Sequence, residues 1–222
     1  GISNPPGSSD PFLSLWYGIR NISIAIFYEG LNHLKGRRAY FCRVEEEKVI
    51  LVDRDDRPIG TMPKMEAHEK ALLHRAFSVF VLNDQGEIML QQRAAHKYHS
   101  PLLWTNTCCS HQRVGESNIE AGKRRLMEEM GFETELQELF NFIYKAPFDN
   151  GLTEHELDHV LLGHYNDAPR INPDEVQDWK WMKPAAIRQA LEETPGAFTA
   201  WFRIIFDRFY QHLTQNDLIH EG

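Results

Sequence analysis

The segment Ser117–Gly131, reading SNIEAGKRRLMEEMG, constrains the fold more than any other stretch of the chain. Ser117 and Glu120 have the spacing of a capping box, in which each side chain bonds the other residue's backbone N–H at a helix start. Apolar residues recur on one side of the predicted helix, at Ile119, Leu126 and Met130. Gly131 is typical of a helix end because glycine adopts the left-handed conformation without strain. The pattern predicts one helix over this segment.

Strand patterns precede this helix. HRAFSVFVLND at 74–84 and EIMLQQR at 87–93 flank a short polar turn at Asn83–Gly86, and two β-prone runs around such a turn indicate a hairpin. KVILVD at 48–53 reads as a further strand, closed by the turn-rich DRDDRPIG. The chain upstream of the helix is therefore predicted to be a set of strands.

Strand patterns also follow the helix, and helical patterns close the chain. The strand-like runs are LFNFIYKA, ELDHVLLGHYN and VQDWKWM. The helical patterns are PAAIRQALEE, which begins with proline at a first-turn position, and the aromatic-rich FTAWFRIIFDRFYQHL. Strands, a central helix, more strands and then helices predict an α+β fold, with a mixed β-sheet flanked by helices.

The first 44 residues differ from the rest. They begin with the turn-rich GISNPPGSSDPF and have no clean helical or strand periodicity. We expect an N-terminal extension of unknown role over 1–44, poorly ordered. An ordered domain is expected over 45–215 and a tail over 216–222.

Composition narrows the compartment and the partners. The formal charge of −8 argues against nucleic acid or an anionic membrane surface as a partner, because both select basic patches. The three cysteines are an odd number without a framework spacing, which favours free thiols and a reducing compartment. No apolar run approaches the roughly 18 residues of a membrane helix, so we expect a cytoplasmic protein. The oligomeric state is left open.

The stretch TNTCCSH at 105–111 places two cysteines beside a histidine. In an extended chain, side chains alternate between faces, so Cys109 and His111 share one face and Cys108 lies on the other. Adjacent cysteines rarely bridge each other because the geometry is strained. Two readings of Cys109 remain from this pattern, a reactive thiol or a small buried apolar residue.

Acidic and imidazole side chains recur at positions that suit a metal. In EHELDH, alternation places Glu154 and Glu156 on one face of a strand, and apolar residues follow. Buried carboxylates would need a cation, although a solvated edge would look the same. With His68, His74 and His111 they would form a nitrogen and oxygen site for a divalent transition metal.

Charges on and near the helix allow two interpretations. Arg124 with Glu128, and Arg125 with Glu129, are spaced for i,i+4 ion pairs on an exposed face. The same carboxylates could instead hold Mg²⁺, which prefers carboxylate and phosphate oxygens. Four nearby cations could neutralise a diphosphate, namely Lys64, Arg93, Lys97 and Arg125.

At this point RRLMEEMGF resembles the end of the Nudix box, G-x5-E-x7-R-E-U-x-E-E-x-G-U, with U apolar. Aligned on Gly131, the matching residues are Glu116, Arg124, Leu126, Glu128, Glu129 and Phe132. Two positions depart, because Ser110 replaces the glycine and Arg125 replaces a glutamate of the catalytic metal cluster. The resemblance implies a Nudix-like catalytic domain, but the loss of that glutamate argues against ordinary diphosphate hydrolysis.

Over roughly residues 48–210, the chain resembles the type I isopentenyl-diphosphate delta-isomerases. The resemblance rests on these two departures and on four further features: LLHRAFSVF, LLWTNTCCSH, the Glu154-x-Glu156 pair and TAWFRI. The resemblance implies a metal-dependent isomerase of isoprenoid biosynthesis that moves a double bond between isopentenyl and dimethylallyl diphosphate. Its acid and base would be Cys109 and Glu156, with Tyr144 assisting beside Glu156.

The same resemblance implies the remaining site residues. One divalent metal, Zn²⁺ or Mn²⁺, would be held by His68, His74, His111, Glu154 and Glu156. Glu129 would help hold a Mg²⁺ that bridges the substrate diphosphate. Around the phosphates would lie Lys64, Arg93, Lys97 and Arg125. An indole, Trp201 or Trp104, would cover the hydrocarbon and stabilise a carbocation.

Two other functions remain as alternatives. A Nudix hydrolase acting on a nucleoside diphosphate derivative keeps the fold but needs the full carboxylate cluster. A metal-stabilised binding module without catalysis needs the metal for folding and would tolerate a change of Cys109.

Overall fold

The computed structural model describes residues 47–148 and 151–216. The predicted extension over 1–44 and residues 217–222 of the predicted tail lie outside the described residues. Nine strands, four α-helices and one 3₁₀ turn (Pro195–Ala197) form over the described part of the chain. The strands are β1 Lys48–Val52, β2 Pro58–Pro63, β3 His74–Leu82, β4 Ile88–Arg93, β5 Trp104–Thr105, β6 Cys108–Ser110, β7 Leu136–Pro147, β8 Thr153–His164 and β9 Val176–Met182. The helices are α1 Lys64–Glu69, α2 Asn118–Met130, α3 Pro184–Glu193 and α4 Ala200–Gln215.

Strand β3 is the centre of a mixed sheet. It runs parallel to β8, with His74 opposite Glu156, and antiparallel to β1, β4 and β6. Strand β7 pairs with β8, β2 with β1, and both β5 and β9 with β4, all antiparallel. The predicted α+β fold with a mixed sheet flanked by helices is confirmed.

Alternation along β3 divides the apolar core in two. Phe77, Val79 and Val81 pack with one side of α2, whereas Phe80 and Leu82 pack with the aromatic side of α4. Full burial of one such side chain stabilises a fold by roughly 1.5–3 kcal/mol, so both helices are held firmly on the sheet. The sheet is thereby fixed between two packed layers.

The predicted helix is confirmed as α2. The Ser117 side chain accepts from the Glu120 N–H, the Glu120 side chain accepts from the Ser117 N–H, and Gly131 ends the helix with φ 71°. A side chain at Gly131 would meet the Arg170 carbonyl oxygen at 2.4 Å, so the turn requires glycine for space as well as for conformation.

Strand β2 and helix α1 are among the short elements that were not predicted. The first half of β2 lies inside the turn-rich DRDDRPIG and the second half continues to Pro63, and four of its six residues are exposed. An exposed edge strand needs no apolar alternation and tolerates proline at its ends, which is why its sequence carries no strand signal. Helix α1 has six residues, too few for a period, and buries Ala67 and His68. No helix in the described ranges is long and apolar enough to cross a membrane.

Candidate active site

A small cavity of about 80 Å³ lies beside β3, β6 and β8. Eleven of the residues singled out from the sequence line it: Lys64, His68, Arg93, Lys97, Cys109, His111, Glu129, Tyr144, Glu154, Glu156 and Trp201. His74 lies directly behind Glu156 on the neighbouring strand. The fold thus brings together side chains from segments that are almost 140 residues apart in the chain.

Three imidazoles and one carboxylate meet at the start of β3. One ligand atom each from His68, His74, His111 and Glu156 lie within 4.8 Å of one another. The Glu156 Oε1 atom is 3.1 Å from His111 Nε2 and 3.5 Å from His74 Nε2. All four side chains are buried. Such a cluster of nitrogen and oxygen donors has the composition of a site for a divalent transition metal.

The hydrogen bonding of these rings tests whether a metal fits. Both ring nitrogens of His68, Nε2 of His74 and Nδ1 of His111 have no hydrogen-bond partner among the described residues. Buried polar atoms in native proteins are normally satisfied, so unpaired ring nitrogens within one cluster of ligand atoms suit a bound cation. Burial, aided by the positive charge of neighbouring imidazoles, lowers the pKa of His68 to about 3, which keeps its lone pair available. The donor set fits a divalent metal.

The His74 ring is oriented by a backbone carbonyl. The Nδ1 atom of His74 lies 2.8 Å from the Leu72 carbonyl oxygen. A carbonyl at this distance holds the proton on Nδ1 and leaves Nε2 as the free donor atom, an arrangement that is usual for histidine ligands of metals.

Two glutamates of β8 differ in protonation. The Tyr144 hydroxyl lies 2.6 Å from Glu156 Oε2 and 3.2 Å from Glu154 Oε2, so it bridges the two carboxyl groups. Burial and the charge of Glu156 raise the pKa of Glu154. Burial acts on Glu156 in the same direction, but the hydrogen bond to His111 and the proximity of the His74 imidazole outweigh it and hold the pKa of Glu156 low. Glu156 is therefore the ionised member of the pair.

The two adjacent cysteines have different surroundings. Cys109 of β6 lies opposite Ser78 of β3 and lines the cavity, and burial raises the pKa of its thiol. Cys108 lies opposite Val79 and is completely buried in the core beneath α2. The predicted separation of the two thiols onto different faces is confirmed.

Alternation fails just outside these two cysteines. Thr107 precedes β6, and its hydroxyl donates to the Met89 carbonyl and accepts from the Val81 N–H. Thr107 therefore joins β3 to β4 and does not share a face with Cys109. Ser110, expected on the other face, also borders the cavity. A strand of three residues is too short to impose a period on its neighbours.

Two cations, Arg125 and Lys97, pair with carboxylates that line the cavity, Glu129 and Glu175. Arg125 does not line the cavity itself; its guanidinium bonds Glu129 Oε1 at 2.5 Å and Glu128 Oε2 at 2.8 Å. Glu129 also accepts a hydrogen bond of 2.8 Å from Gln91. Lys97 pairs with Glu175, and burial of that carboxylate is outweighed by the two cations, Lys97 and Arg125, which lower its pKa.

The carboxylates of the Nudix-like segment are paired with arginine. Glu116 accepts two bonds from Arg124, at 2.7 and 2.8 Å, and Arg124 also reaches Glu128 at 3.3 Å. The predicted ion pairs between positions 124 and 128 and between 125 and 129 are both present, but the second does not lie on an exposed face, because Glu129 is buried. They account for these acidic side chains without any metal.

The two indoles are placed differently. Trp201 lines the cavity, with the Arg93 guanidinium 5.2 Å from its ring centre. Trp104 does not line it, because its ring lies beneath the Lys180 ammonium, 3.9 Å away on the side of β9. Of the two indoles expected near the hydrocarbon, Trp201 lines the cavity and Trp104 does not.

Six lining residues were not singled out from the sequence, namely Phe77, Ser78, Gln91, Tyr98, His99 and Glu175. Ser78 follows from the alternation of β3, since it shares a face with His74. His99 lies in the loop between β4 and β5, where no period gave a signal. Glu175 directly precedes β9 and lines the cavity, where it pairs with Lys97 and Arg125.

Known proteins match this chain in sequence. Residues 72–202 match the NUDIX domain family. A protein of Photorhabdus laumondii named isopentenyl-diphosphate Delta-isomerase 2 is 48% identical over 162 residues, which cover 73% of this chain and 92% of that protein. The isopentenyl-diphosphate Delta-isomerase of Pectobacterium atrosepticum is 49% identical over 161 residues, which cover 72% of this chain and 90% of that protein.

A solved structure agrees on the fold. A crystal structure of a Deinococcus radiodurans protein superposes with a TM-score of 0.60 at 22% identity, over 73% of this chain and 98% of that chain. At this identity the likeness concerns the fold alone. The family follows from the sequence matches: this chain belongs to the Nudix superfamily and, within it, to the isopentenyl-diphosphate delta-isomerase family.

Proposed function

We propose that this cavity interconverts isopentenyl diphosphate and dimethylallyl diphosphate, with Cys109 and Glu156 as the two proton-transfer groups. The observation that carries the assignment is that a protonated thiol and an ionised carboxylate border one small buried cavity, with β3 between the strands that hold them. Moving the double bond requires one proton added at C4 and another removed from C2, so two groups of different protonation are needed.

The residues around the pair suit a carbocation. Protonation of an unactivated alkene leaves a tertiary cation that water would trap, and the site must therefore exclude water. Trp201 is 2% exposed, and its indole face stabilises a cation without offering a nucleophile. Tyr144 holds the Glu156 carboxylate through its hydroxyl. Because the reaction is reversible, each proton-transfer group acts as acid in one direction and as base in the other.

Two metals complete the proposal. A divalent ion, Zn²⁺ or Mn²⁺, would be held by His68, His74, His111 and Glu156, whose ligand atoms cluster, and it would fix the position of Glu156 and tune its acidity. Glu154 lies outside that cluster and has a raised pKa, so it would join as a fifth ligand only after losing its proton. Mg²⁺ would be held with the diphosphate at Glu129, whose carboxylate keeps acceptor capacity beyond its bonds to Arg125 and Gln91.

The diphosphate is the anchor of the substrate. Lys64, Arg93 and Lys97 line the cavity, and Arg125 bonds Glu129, which also lines it, so four cations are available to neutralise the phosphates. Binding energy gained at the phosphates, far from the reacting carbons, orients those carbons between the two proton-transfer groups. Hydrolysis of the diphosphate is disfavoured, because an arginine occupies position 125 of the Nudix-like segment and pairs with Glu128 and Glu129.

The chemistry also indicates a compartment. Cys109 acts only as a thiol, so a reducing cytoplasm is the environment in which the enzyme would keep its activity.

The test is proton NMR of isopentenyl diphosphate in D₂O, with Mg²⁺ and Zn²⁺, for the wild type and a matched pair of variants. The wild type should give deuterated dimethylallyl diphosphate. Cys109→Ala should lower kcat by about 10² to 10⁴, the usual contribution of a proton-transfer group. Cys108→Ala removes the adjacent thiol from the core and should lower the melting temperature while leaving kcat within a few-fold. A folded, metal-loaded wild type that gives no isomerisation would refute the proposal.

A further inference from the structure

The loop between β4 and β5 carries an imidazole into the cavity that the proposed reaction does not use. His99 lines the cavity together with Trp201 and Glu154, and its side chain is 9% exposed. The Nudix-like segment and the histidine–glutamate cluster do not include it. The question is which property of the side chain, its nitrogens or its ring, acts on the site.

The loop is held so that this ring points inward. The Leu102 N–H donates to the Arg93 carbonyl at 3.1 Å, and the Arg93 guanidinium donates to the His99 carbonyl at 3.3 Å. Ser100 and Leu102 have φ values of 48° and 60°, which are unfavourable for residues with a side chain. Such conformations persist where the surroundings fix them, so the loop has one preferred arrangement.

The ring of His99 makes three aromatic contacts. It stacks on Phe148 at 5.2 Å with an interplanar angle of 16°, and meets Trp201 nearly edge-on at 5.6 Å and 87°. Tyr98 lies against it at 4.3 Å and 89°. Stacked and edge-to-face arrangements at about these separations are the favourable ones for aromatic pairs.

The nitrogens of His99 make weaker contacts. Nε2 is 3.8 Å from Glu154 Oε1, which is beyond hydrogen-bond distance, and Nδ1 has no hydrogen-bond partner in the described part of the chain. The imidazole therefore contacts the site mainly through its ring and behaves as an aromatic wall.

We propose that His99 is a positioning residue of the isomerisation: its ring holds the Trp201 indole in place and excludes water from the hydrocarbon end of the cavity. This inference rests on the proposed function. Where the wall is removed, a water oxygen forms a bond to C3 of the tertiary cation and releases its extra proton to solvent. The product is then a tertiary alcohol diphosphate, formed from one substrate molecule and one water.

The experiment compares products and rates in the full chain loaded with Mg²⁺ and Zn²⁺. His99→Ala removes the ring, and His99→Phe keeps a ring without nitrogens. The matched control is His96→Ala in the same loop, an exposed histidine that contacts the Asp174 carbonyl at 2.9 Å. Proton and phosphorus NMR with isopentenyl diphosphate separate the two alkenes from the alcohol, and melting curves report folding.

The expected results differ among the variants. The wild type and His96→Ala give dimethylallyl diphosphate without alcohol. His99→Ala lowers kcat by roughly 10- to 100-fold, the effect of a slight misplacement of reacting groups, with KM within about threefold and alcohol present. His99→Phe restores kcat to within a few-fold of the wild type and removes most of the alcohol.

Other outcomes separate the two proposals. A wild type without isomerase activity refutes the proposed function. A wild type that isomerises, beside a folded His99→Ala that matches its kcat and forms no alcohol, overturns the role of His99 alone. If His99→Ala fails to fold, His99→Phe decides, because a folded phenylalanine variant with low kcat and alcohol release contradicts the role of the ring.

Discussion

Two groups of ionisable side chains lie near the cavity, and they differ in what satisfies them. On α2, the carboxylates of Glu116, Glu128 and Glu129 are all paired with arginines. At the start of β3, buried nitrogens of His68, His74 and His111 have no hydrogen-bond partner among the described residues. The α2 carboxylates are neutralised by arginines without a ligand, whereas the histidine group has unpaired buried nitrogens of the kind that a cation satisfies.

This difference distinguishes α2, which carries the Nudix-like segment, from the histidine group at the start of β3, where we propose that the reaction takes place. In the Nudix-like segment the arginine at position 125 occupies the place of a carboxylate and draws Glu128 and Glu129 into ion pairs. The histidines come instead from α1, β3 and the end of β6, and they meet Glu156 of β8. The catalytic metal is therefore expected at the strands, and α2 is left to support the diphosphate.

The largest expected effect comes from exchanging one carboxylate in each group. Glu156→Gln removes the proposed proton-transfer group and a metal ligand together, and kcat should fall by about 10³ or more. Glu128→Gln alters a half-exposed ion pair on α2 and should change kcat by less than about threefold. Steady-state rates with isopentenyl diphosphate compare them. Equal losses for the two variants would show that the groups do not differ as described.

The second effect concerns the metal itself. His68→Ala removes a ligand whose ring nitrogens are both unpaired, so the purified protein should lose its bound Zn²⁺ or Mn²⁺, measured by elemental analysis. A metal present at about 100 times its Kd stabilises the folded state by about 2.7 kcal/mol, so a chelator should lower the melting temperature of the wild type. The same chelator should have little effect on His68→Ala.

The matched variant for the metal is Arg124→Ala on α2. It breaks the two bonds to Glu116 and should lower the melting temperature without changing the metal content. Loss of metal in this variant, or full metal in His68→Ala, would contradict the division between the two groups.

The regular elements of both groups, helix α2 and strand β8, could be predicted from the sequence. A capping box and a terminal glycine act over a few neighbouring residues, and α2 was predicted with its limits for that reason. Alternation along β8 placed Glu154 and Glu156 on one face, and both are buried there. These are local rules, and local rules can be read from a single sequence.

The remainder depends on distant contacts. His99 enters through a loop whose left-handed residues, Ser100 and Leu102, have no sequence signature. Trp104 lies against Lys180 of β9 because β5 pairs with β4, which also pairs with β9. The order of strands in a sheet cannot be read from the sequence pattern of each strand. Which nitrogens lack partners also emerges only after folding.

The third effect concerns Arg125 of α2. It bonds the carboxylates of Glu128 and Glu129, and Glu129 lines the cavity where the diphosphate is proposed to bind. Arg125→Ala should raise KM roughly tenfold with a smaller loss of kcat, since the three remaining cations still orient the diphosphate. Substrate titrations measure the change. An unchanged KM with a lower melting temperature would assign Arg125 to the structural group alone.

The smallest effect is a pH dependence of stability on α2. Bonds from Arg124, opposed by partial burial, lower the pKa of Glu116 from its ordinary value of 4.5. A group with a lowered folded-state pKa binds its proton less readily in the folded state than in the unfolded state. Its stabilisation is therefore present above pH 4.5 and is lost as the pH falls through the folded-state pKa.

Urea unfolding of the wild type and Glu116→Gln measures this contribution. With 21% of the side chain exposed, the pair is screened by solvent, and the free energy of unfolding should differ by about 0.5–1 kcal/mol at pH 7. The difference should shrink when the pH is lowered below 4.5. In an Arg124→Gln background the same substitution should have almost no effect, because the partner is already absent. A difference that grows on acidification would mean that Glu116 is stabilised in its protonated form, and the α2 group would then not be a set of satisfied ion pairs.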